Sequence, residues 1–215
     1  MHKPPFNIYL KVESRSTLHS FIRSNPVILG QRIRLRPIEK EDLPRYVKWL
    51  SDPELRSYTD TYLPLGQTQE ERWFDRNAGA GSEQTWAIDA QPLDGVGPYV
   101  HIGSCGYHDI DWRNRVGEAG IIIGARDYWG KGYGTDAMQT LVAWGFYTLN
   151  LNRVQLRVYA DNERAIRSYQ KVGFQIEGRL RQGNFYHGSY RDVLYMGVLR
   201  EDWAQATAAT EAPAE

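Results

Sequence analysis

A single cysteine, Cys105, stands among 215 residues, so no internal disulfide can form and the fold must rest on packing alone. That usage fits a reducing compartment, and a cytoplasmic location is the expectation. Phe6 to Val12 is interrupted by Asn7 and Lys11, which argues against a secretory leader, and no apolar run approaches membrane-spanning length. Neither sign of charge is in excess: 26 Lys and Arg face 26 Asp and Glu. Without a basic field nothing draws nucleic acid or an anionic membrane surface, and neither is expected as a partner. The histidines at 2, 19, 101, 108 and 187 show no His-Glu-x-x-His or paired Cys/His spacing, so no metal site is expected.

What is present suffices for one domain, with 41% of positions hydrophobic. Residues 1–26 hold no sustained period and form an N-terminal extension, either a loose arm or a strand added to a neighbour. The domain spans 27–203. Residues 204–215, AQATAATEAPAE, bury too little apolar surface to offset ordering entropy, and a disordered tail is expected there.

Within the domain, Ile33 to Pro37 alternates as a strand, and Lys40 to Leu50 follows a helical period through Leu43, Tyr46, Val47 and Leu50. Thr85 to Ala90 and Tyr99 to Tyr107 predict a hairpin across the turn-rich Gln91 to Pro98. Glu118 to Gly124, EAGIIIG, predicts a central strand covered on both faces. Thr135 to Leu149 predicts a helix capped by Thr135, with Met138, Leu141, Val142, Gly145 and Leu149 on one side. Val154, Leu156 and Val158 alternate as a strand. Glu163 to Val172 predicts a helix stopped by Gly173, with Ala165, Ile166 and Tyr169 inward. Phe174 to Gly178 and Tyr190 to Val198 are two further strands around a turn-rich Gln182 to Ser189. The result is an α/β (α+β) fold, a mixed central sheet flanked by helices on both faces.

The apolar strand gives way to a helix through Tyr128-Trp129-Gly130-Lys131-Gly132-Tyr133-Gly134-Thr135. Unpaired N–H groups at a helix N-terminus attract anions, and glycines let a phosphate approach the backbone. The reading beside it is an ordinary tight turn. The dinucleotide fingerprint fails because the last glycine, Gly134, falls one residue early, and the ATP-type loop fails because Gly132 follows Lys131 where Ser or Thr is needed. Gly103-Ser104-Cys105-Gly106 is no nucleophile elbow either, since its second glycine comes too soon, and Cys105 reads as a small buried hydrophobe.

EAGIIIGARDYWGKGYGTDAM followed by NRVQLRVYADNERAIRSYQKVGF resembles the acetyl-coenzyme A core of the GNAT acyltransferase superfamily. RLRPIEKEDLPRYVKWLSDPELRSY and GNFYHGSYRDVLYMGVLREDW are similar to its branch of ribosomal-protein N-terminal and spermidine N-acetyltransferases. The resemblance implies an acetyl-coenzyme A N-acyltransferase fold. It implies backbone amides of Lys131, Gly132, Tyr133, Gly134 and Thr135 around a pyrophosphate, the backbone of Ile121, Ile122 and Ile123 beside the pantetheine arm, and a side-chain contact from Asn162. Ile123 would supply an N–H to the thioester carbonyl. Trp129 departs from the family pattern, which usually has Gln or Arg there.

Tyr169 matches the family tyrosine that protonates the departing thiolate, a task suited to a phenol that stays protonated at neutral pH. Its position on the helical face of Ala165 and Ile166 equally suits a core aromatic. Glu118, opening the central strand, is the candidate base for the attacking amine; the other reading is an ion pair to Arg113 or Arg115. Asp52, Glu54, Tyr58 and Tyr62 form an acidic and aromatic cluster that either attracts a cationic amine or is a solvated helix end. The expected function is acetyl transfer from acetyl-coenzyme A to a primary amine by direct attack. The acceptor is a protein N-terminus, a polyamine or a small amine. The alternative is a regulatory module that binds acyl-coenzyme A without transfer. The C-terminal strand pair and the N-terminal extension are candidate contacts of a homodimer.

Overall fold

The computed structural model describes residues 27–61, 66–77 and 84–211, with side chains as far as 206. The N-terminal extension therefore lies outside the described residues. Among those described, eight strands form one sheet in the order β1-β2-β3-β4-β5-β6-β8-β7. They are β1 Ile28–Leu29, β2 Ile33–Pro37, β3 Gln84–Ala90, β4 Val100–Asp111, β5 Val116–Ile123, β6 Arg153–Tyr159, β7 Gln175–Tyr186 and β8 Ser189–Leu199. Every neighbouring pair is antiparallel except β5 and β6. A parallel pair needs a crossover, and α4, Tyr133–Tyr147, provides it.

The remaining helices are α1 Leu43–Leu50, entered by a 3-10 turn at Lys40–Asp42, α2 Pro53–Arg56, α3 Gln67–Asn77, α5 Glu163–Val172 and α6 Arg200–Glu211. The long α4 covers one face and carries α5 beside it. Residues of α1 and α3 lie over the other face, around Ser104 and Ile122. A buried network fastens the start of α1 to the sheet: Arg36 grips Asp42 through two bonds of 2.7 and 2.9 Å and Asp89 through one of 3.0 Å. Burial alone would push the Asp42 carboxyl up; hydrogen bonds from Arg36 and His101 outweigh it and hold the group far below the usual carboxylate range.

Among the departures from expectation, three have a clear local reason. The helix α4 starts at Tyr133 rather than Thr135, because Gly132 takes φ of 85° and ends the loop as the N-cap. The segment Gln182 to Tyr186 is strand, not turn: Gln182 bulges at φ 54°, its N–H donating to Asp192 Oδ1 at 2.9 Å, and the reversal shrinks to His187-Gly188, both at positive φ. The expected disordered tail is helical as far as Glu211, in an alanine-rich segment with high helix propensity, anchored where Trp203 packs on Phe146 at 5.7 Å. The strand β5 is central yet not covered throughout, since Gly120 to Ile123 stay half-buried.

Tyr107 is the largest fully buried side chain, and its hydroxyl donates to the Leu141 carbonyl of α4 at 3.0 Å. Close approach of α4 to β4 needs Gly145, since a Cβ there would fall on that hydroxyl. Gly145→Ala should therefore destabilise the protein by about 1–3 kcal/mol through overpacking, read as a lower midpoint in urea, although alanine favours the helix intrinsically. Adding Tyr107→Phe should restore part of the loss; a single variant as stable as the parent would contradict this packing.

Candidate active site

The strands β5 and β6 pair over only Val116, Gly117 and Glu118 against Arg153, Val154 and Gln155, then part. β5 runs on to Ile123 with β4 on one side and open space on the other. A groove of about 780 Å³ fills the gap, lined by β5, the glycine-rich loop, β6 and α5. Which backbone groups face it follows from two bonds. The Gly124 N–H donates to Ile102 of β4 at 2.8 Å, whereas the Ile123 carbonyl accepts from Trp129 Nε1 at 2.6 Å, away from β4. Backbone groups alternate along a strand, so Ile121 and Ile123 present N–H and C=O to the groove. By the same alternation Ile122 spends its backbone on β4, and only its side chain reaches the cavity walls.

The far end of the groove meets the N-terminus of α4. Gly130 and Gly132 take φ of 70° and 85°, and Gly132, Gly134 and Thr135 line the space. The first helical N–H groups have no intrahelical acceptor, and the helix dipole adds partial positive charge there. Lys131 and Tyr133 belong to the loop's support: Lys131 offers its carbonyl to Arg32 Nη2 at 2.9 Å, and the buried Tyr133 ring lies against Tyr128 and under the Arg32 guanidinium. Asp136, in the first turn, would repel an anion if it faced the groove. It is buried instead and accepts from the Gln31 and Arg32 N–H groups at 3.0 and 2.7 Å, which ties the loop to the β1–β2 turn.

Trp129 latches the same region. Besides its bond to Ile123, the indole lies 4.0 Å from the Arg164 guanidinium of α5. The two helices join again where Thr135 Oγ1 meets Ser168 Oγ at 2.8 Å. Asn162 caps α5, its Oδ1 accepting from Ala165 N–H at 3.2 Å, and it also lines the groove. Tyr169 is buried on the groove wall with its ring near Phe174. Its hydroxyl finds no protein partner among the described residues, and burial pushes the phenol up to about 12.

Glu118 lies where the strands separate. It is ion-paired, but to neither Arg113 nor Arg115: Arg157 Nε approaches its Oε1 at 2.8 Å across the parting strands. Tertiary register selects the partner, because Glu118 faces Gln155 and Arg157 lies two residues further along β6.

The GNAT acetyltransferase domain matches residues 32–175. The chain belongs to this family. An N-acetyltransferase of Bacillus licheniformis, p20, is 31% identical over 81% of this chain and 96% of its own length. The spermidine N(1)-acetyltransferase of Escherichia coli K12 is 30% identical, with coverage of 80% and 88%. The spermidine N-acetyltransferase of Vibrio cholerae, solved with CoA and spermine, superposes with a TM-score of 0.74 at 24% identity over 81% of this chain and 99% of that one. The mixed sheet and its parting strands are thus the acetyltransferase fold, and the chain is an acetyl-coenzyme A-dependent N-acetyltransferase.

In this acetyltransferase the expected acidic cluster is dismantled. Asp52 caps α2 and pairs with Arg126 at 2.6 Å, and Glu54 pairs with the same guanidinium at 2.7 Å. Only Tyr58 of that cluster lines the groove; Tyr62 is outside the described residues. Besides Glu118, the carboxylate on the wall is Asp60, which accepts from the Tyr159 hydroxyl at 2.6 Å. His108 also escaped the sequence reading. It sits at a bulge between Tyr107 and Asp109 and covers Gly120, where any Cβ would collide with its ring. No sequence pattern announces a bulge of that kind. Cys105 is fully buried, which pushes its thiol up and keeps it a packing residue. Among the described residues no group of three metal-ligating side chains assembles, and no helix is long and apolar enough to cross a membrane.

The brace behind the loop can be tested at Gly30, where a Cβ would sit 2.6 Å from Thr140 Oγ1 and 2.7 Å from Asp136 Oδ1. Gly30→Ala should dislodge Asp136 and weaken coenzyme A binding by about fivefold or more, the equivalent of one lost hydrogen bond. Calorimetric titration measures this; unchanged affinity would show that the loop holds its shape without the β1–β2 turn.

Proposed function

We propose that the acceptor is a small cationic amine of the polyamine type, and that this chain acetylates it in a ternary complex with acetyl-coenzyme A. The observation that carries the reading is the free edge of β5, opened by the parting from β6 and leading from Glu118 to the N-terminus of α4. The edge, the glycine-rich turn and the unpaired N–H groups fit an extended acyl-pantetheine arm followed by a pyrophosphate. Glu118 and Asp60 on the wall suit a cation, and relatives at 30% identity are spermidine N(1)-acetyltransferases.

In this reading the amides of Lys131, Gly132, Tyr133, Gly134 and Thr135 bind the pyrophosphate and the Asn162 amide adds a contact. Ile121 and Ile123 align the arm by backbone pairing, with Ile122 adding its side chain. The Ile123 N–H polarises the thioester carbonyl. The amine forms its new bond to the carbonyl carbon as the carbon–sulfur bond breaks. Glu118 accepts the proton lost from nitrogen, and Tyr169 delivers one to sulfur. The Arg157 guanidinium, paired with Glu118 at 2.8 Å, holds the carboxylate in place where the strands part. Much of the rate then comes from holding the two substrates in line.

Free-thiol release over spermidine, short peptides with free N-termini, amino acids and aminoglycosides tests the acceptor class. Turnover confined to peptides would replace the polyamine reading with protein N-terminal acetylation. Tyr169→Phe should lower kcat by about a hundredfold or more while coenzyme A affinity holds. Since burial pushes its phenol up to about 12, the parent should show no alkaline loss of kcat from this group below about pH 11. Glu118→Gln should cost a similar factor; retained activity would make the Arg157 pair purely structural. A wild-type protein that binds acetyl-coenzyme A and turns over no amine would instead favour a regulatory module.

Two coarser features join the proposal. A cytoplasmic setting suits the lone buried thiol. A homodimer would pair through β7, an edge strand on which Ile176, Leu180 and Phe185 are exposed. Light scattering should then give twice the chain mass, reverting to one chain on Leu180→Asp; a monomeric parent would remove this interface.

A further inference from the structure

A second cavity of about 550 Å³ lies under α1 and α3, on the face away from α4. Thr85, Ser104, His108 and Ile122 belong to the walls of both spaces, so the two adjoin across β4 and β5. Glu118, Gly120 and Ile122 share a strand face by the period of two, which puts the proposed base on the side of this second cavity.

Tyr46, Leu50 and Trp73 give its walls an aromatic and apolar part, and one of its polar lining residues is a carboxylate. Glu70 of α3 lines the cavity at 7% exposure, and its carboxylate has no hydrogen-bond or ionic partner among the described residues. The other acids of α3 are occupied outside the cavity: Glu71 with Gln67 at 3.0 Å, and Asp75 with Lys40 at 3.8 Å. Burial pushes the Glu70 carboxyl up. An unpaired buried carboxylate is costly, and a cation that enters the cavity removes the cost. Arg72 and Arg76, both exposed, also line the cavity, and they disfavour any further positive charge beyond the first.

We propose that this cavity is a second acceptor subsite, which holds the remote ammonium of a diamine or polyamine against Glu70, with Trp73 and Tyr46 around it. The ammonium gains an ion pair and cation–π contact there. The reacting amine then reaches past His108 towards the end of the groove near Glu118. This rests on the amine-acetylation reading above and adds to it a length rule: the acceptor needs two amines separated by the span from groove to cavity.

The test compares n-butylamine with 1,4-diaminobutane and spermidine on the full-length wild type and on Glu70→Gln, a near-isosteric change that removes only the buried charge. The wild type should prefer a diamine or spermidine over the monoamine by about tenfold or more in kcat/KM, and Glu70→Gln should erase most of that ratio through KM. Trp73→Leu should reduce the ratio as well. An undiminished ratio in Glu70→Gln, or no preference in the wild type, overturns the subsite. If the wild type turns over no amine at all, the acetyl-transfer reading fails separately. Calorimetry with spermidine alone then decides: binding about tenfold weaker in Glu70→Gln supports the subsite, and equal or absent binding overturns it.

Discussion

Everything functional in this protein depends on a sheet that fails to close. β5 and β6 share three register pairs and then diverge, leaving one edge of β5 without a strand beside it. In a continuous sheet the backbone groups of Ile121 and Ile123 would be consumed by a ladder. Here they face a groove, and unpaired backbone groups next to a cavity must find partners elsewhere. Trp129 takes one of them, the Ile123 carbonyl. What remains is a preformed template for an extended ligand, held open from outside by β4 on one flank and by β8 drawing β6 away on the other.

Most of what the groove presents at this edge and at the glycine-rich loop is backbone, and side chains around the loop largely serve to hold that backbone in place. Asp136 is the clearest example. An acid in the first turn of a helix ordinarily stabilises it by charge, yet this one is turned into the β1–β2 turn, where it braces the loop without opposing an anion. Arg32 stacks on Tyr133 and holds the Lys131 carbonyl from the same turn. Tyr169 and Glu118 differ from these in facing the groove. The first is buried with an unengaged hydroxyl, the second is held by a guanidinium from the strand that parts from its own.

The period of the sequence carried the architecture. Ile33–Pro37 and Glu163–Val172 fall at the boundaries read from alternation, spacing and the stop at Gly173. The reading went astray where a local conformation has no compositional mark. Polar residues between Gln182 and Tyr186 look like a turn, but a bulge lets them stay in the ladder. Gly132, one of several glycines, is the N-cap only because it alone adopts the left-handed geometry next to Tyr133. The carboxylates at Asp52 and Glu54 looked available for a substrate, and Arg126, more than seventy positions away, neutralises both.

By itself, the sequence determined the family, the strands and helices of its central core and the glycine-rich turn, because these depend on residue type and short-range spacing. Tertiary structure alone decided which backbone edge is free, that Glu118 pairs with Arg157, that Asp60 rather than Asp52 reaches the groove, and that His108 and Glu70 line adjoining spaces. Each of those is a relation between residues brought together from separate strands and helices, and a linear pattern contains no term for how far apart two strands lie.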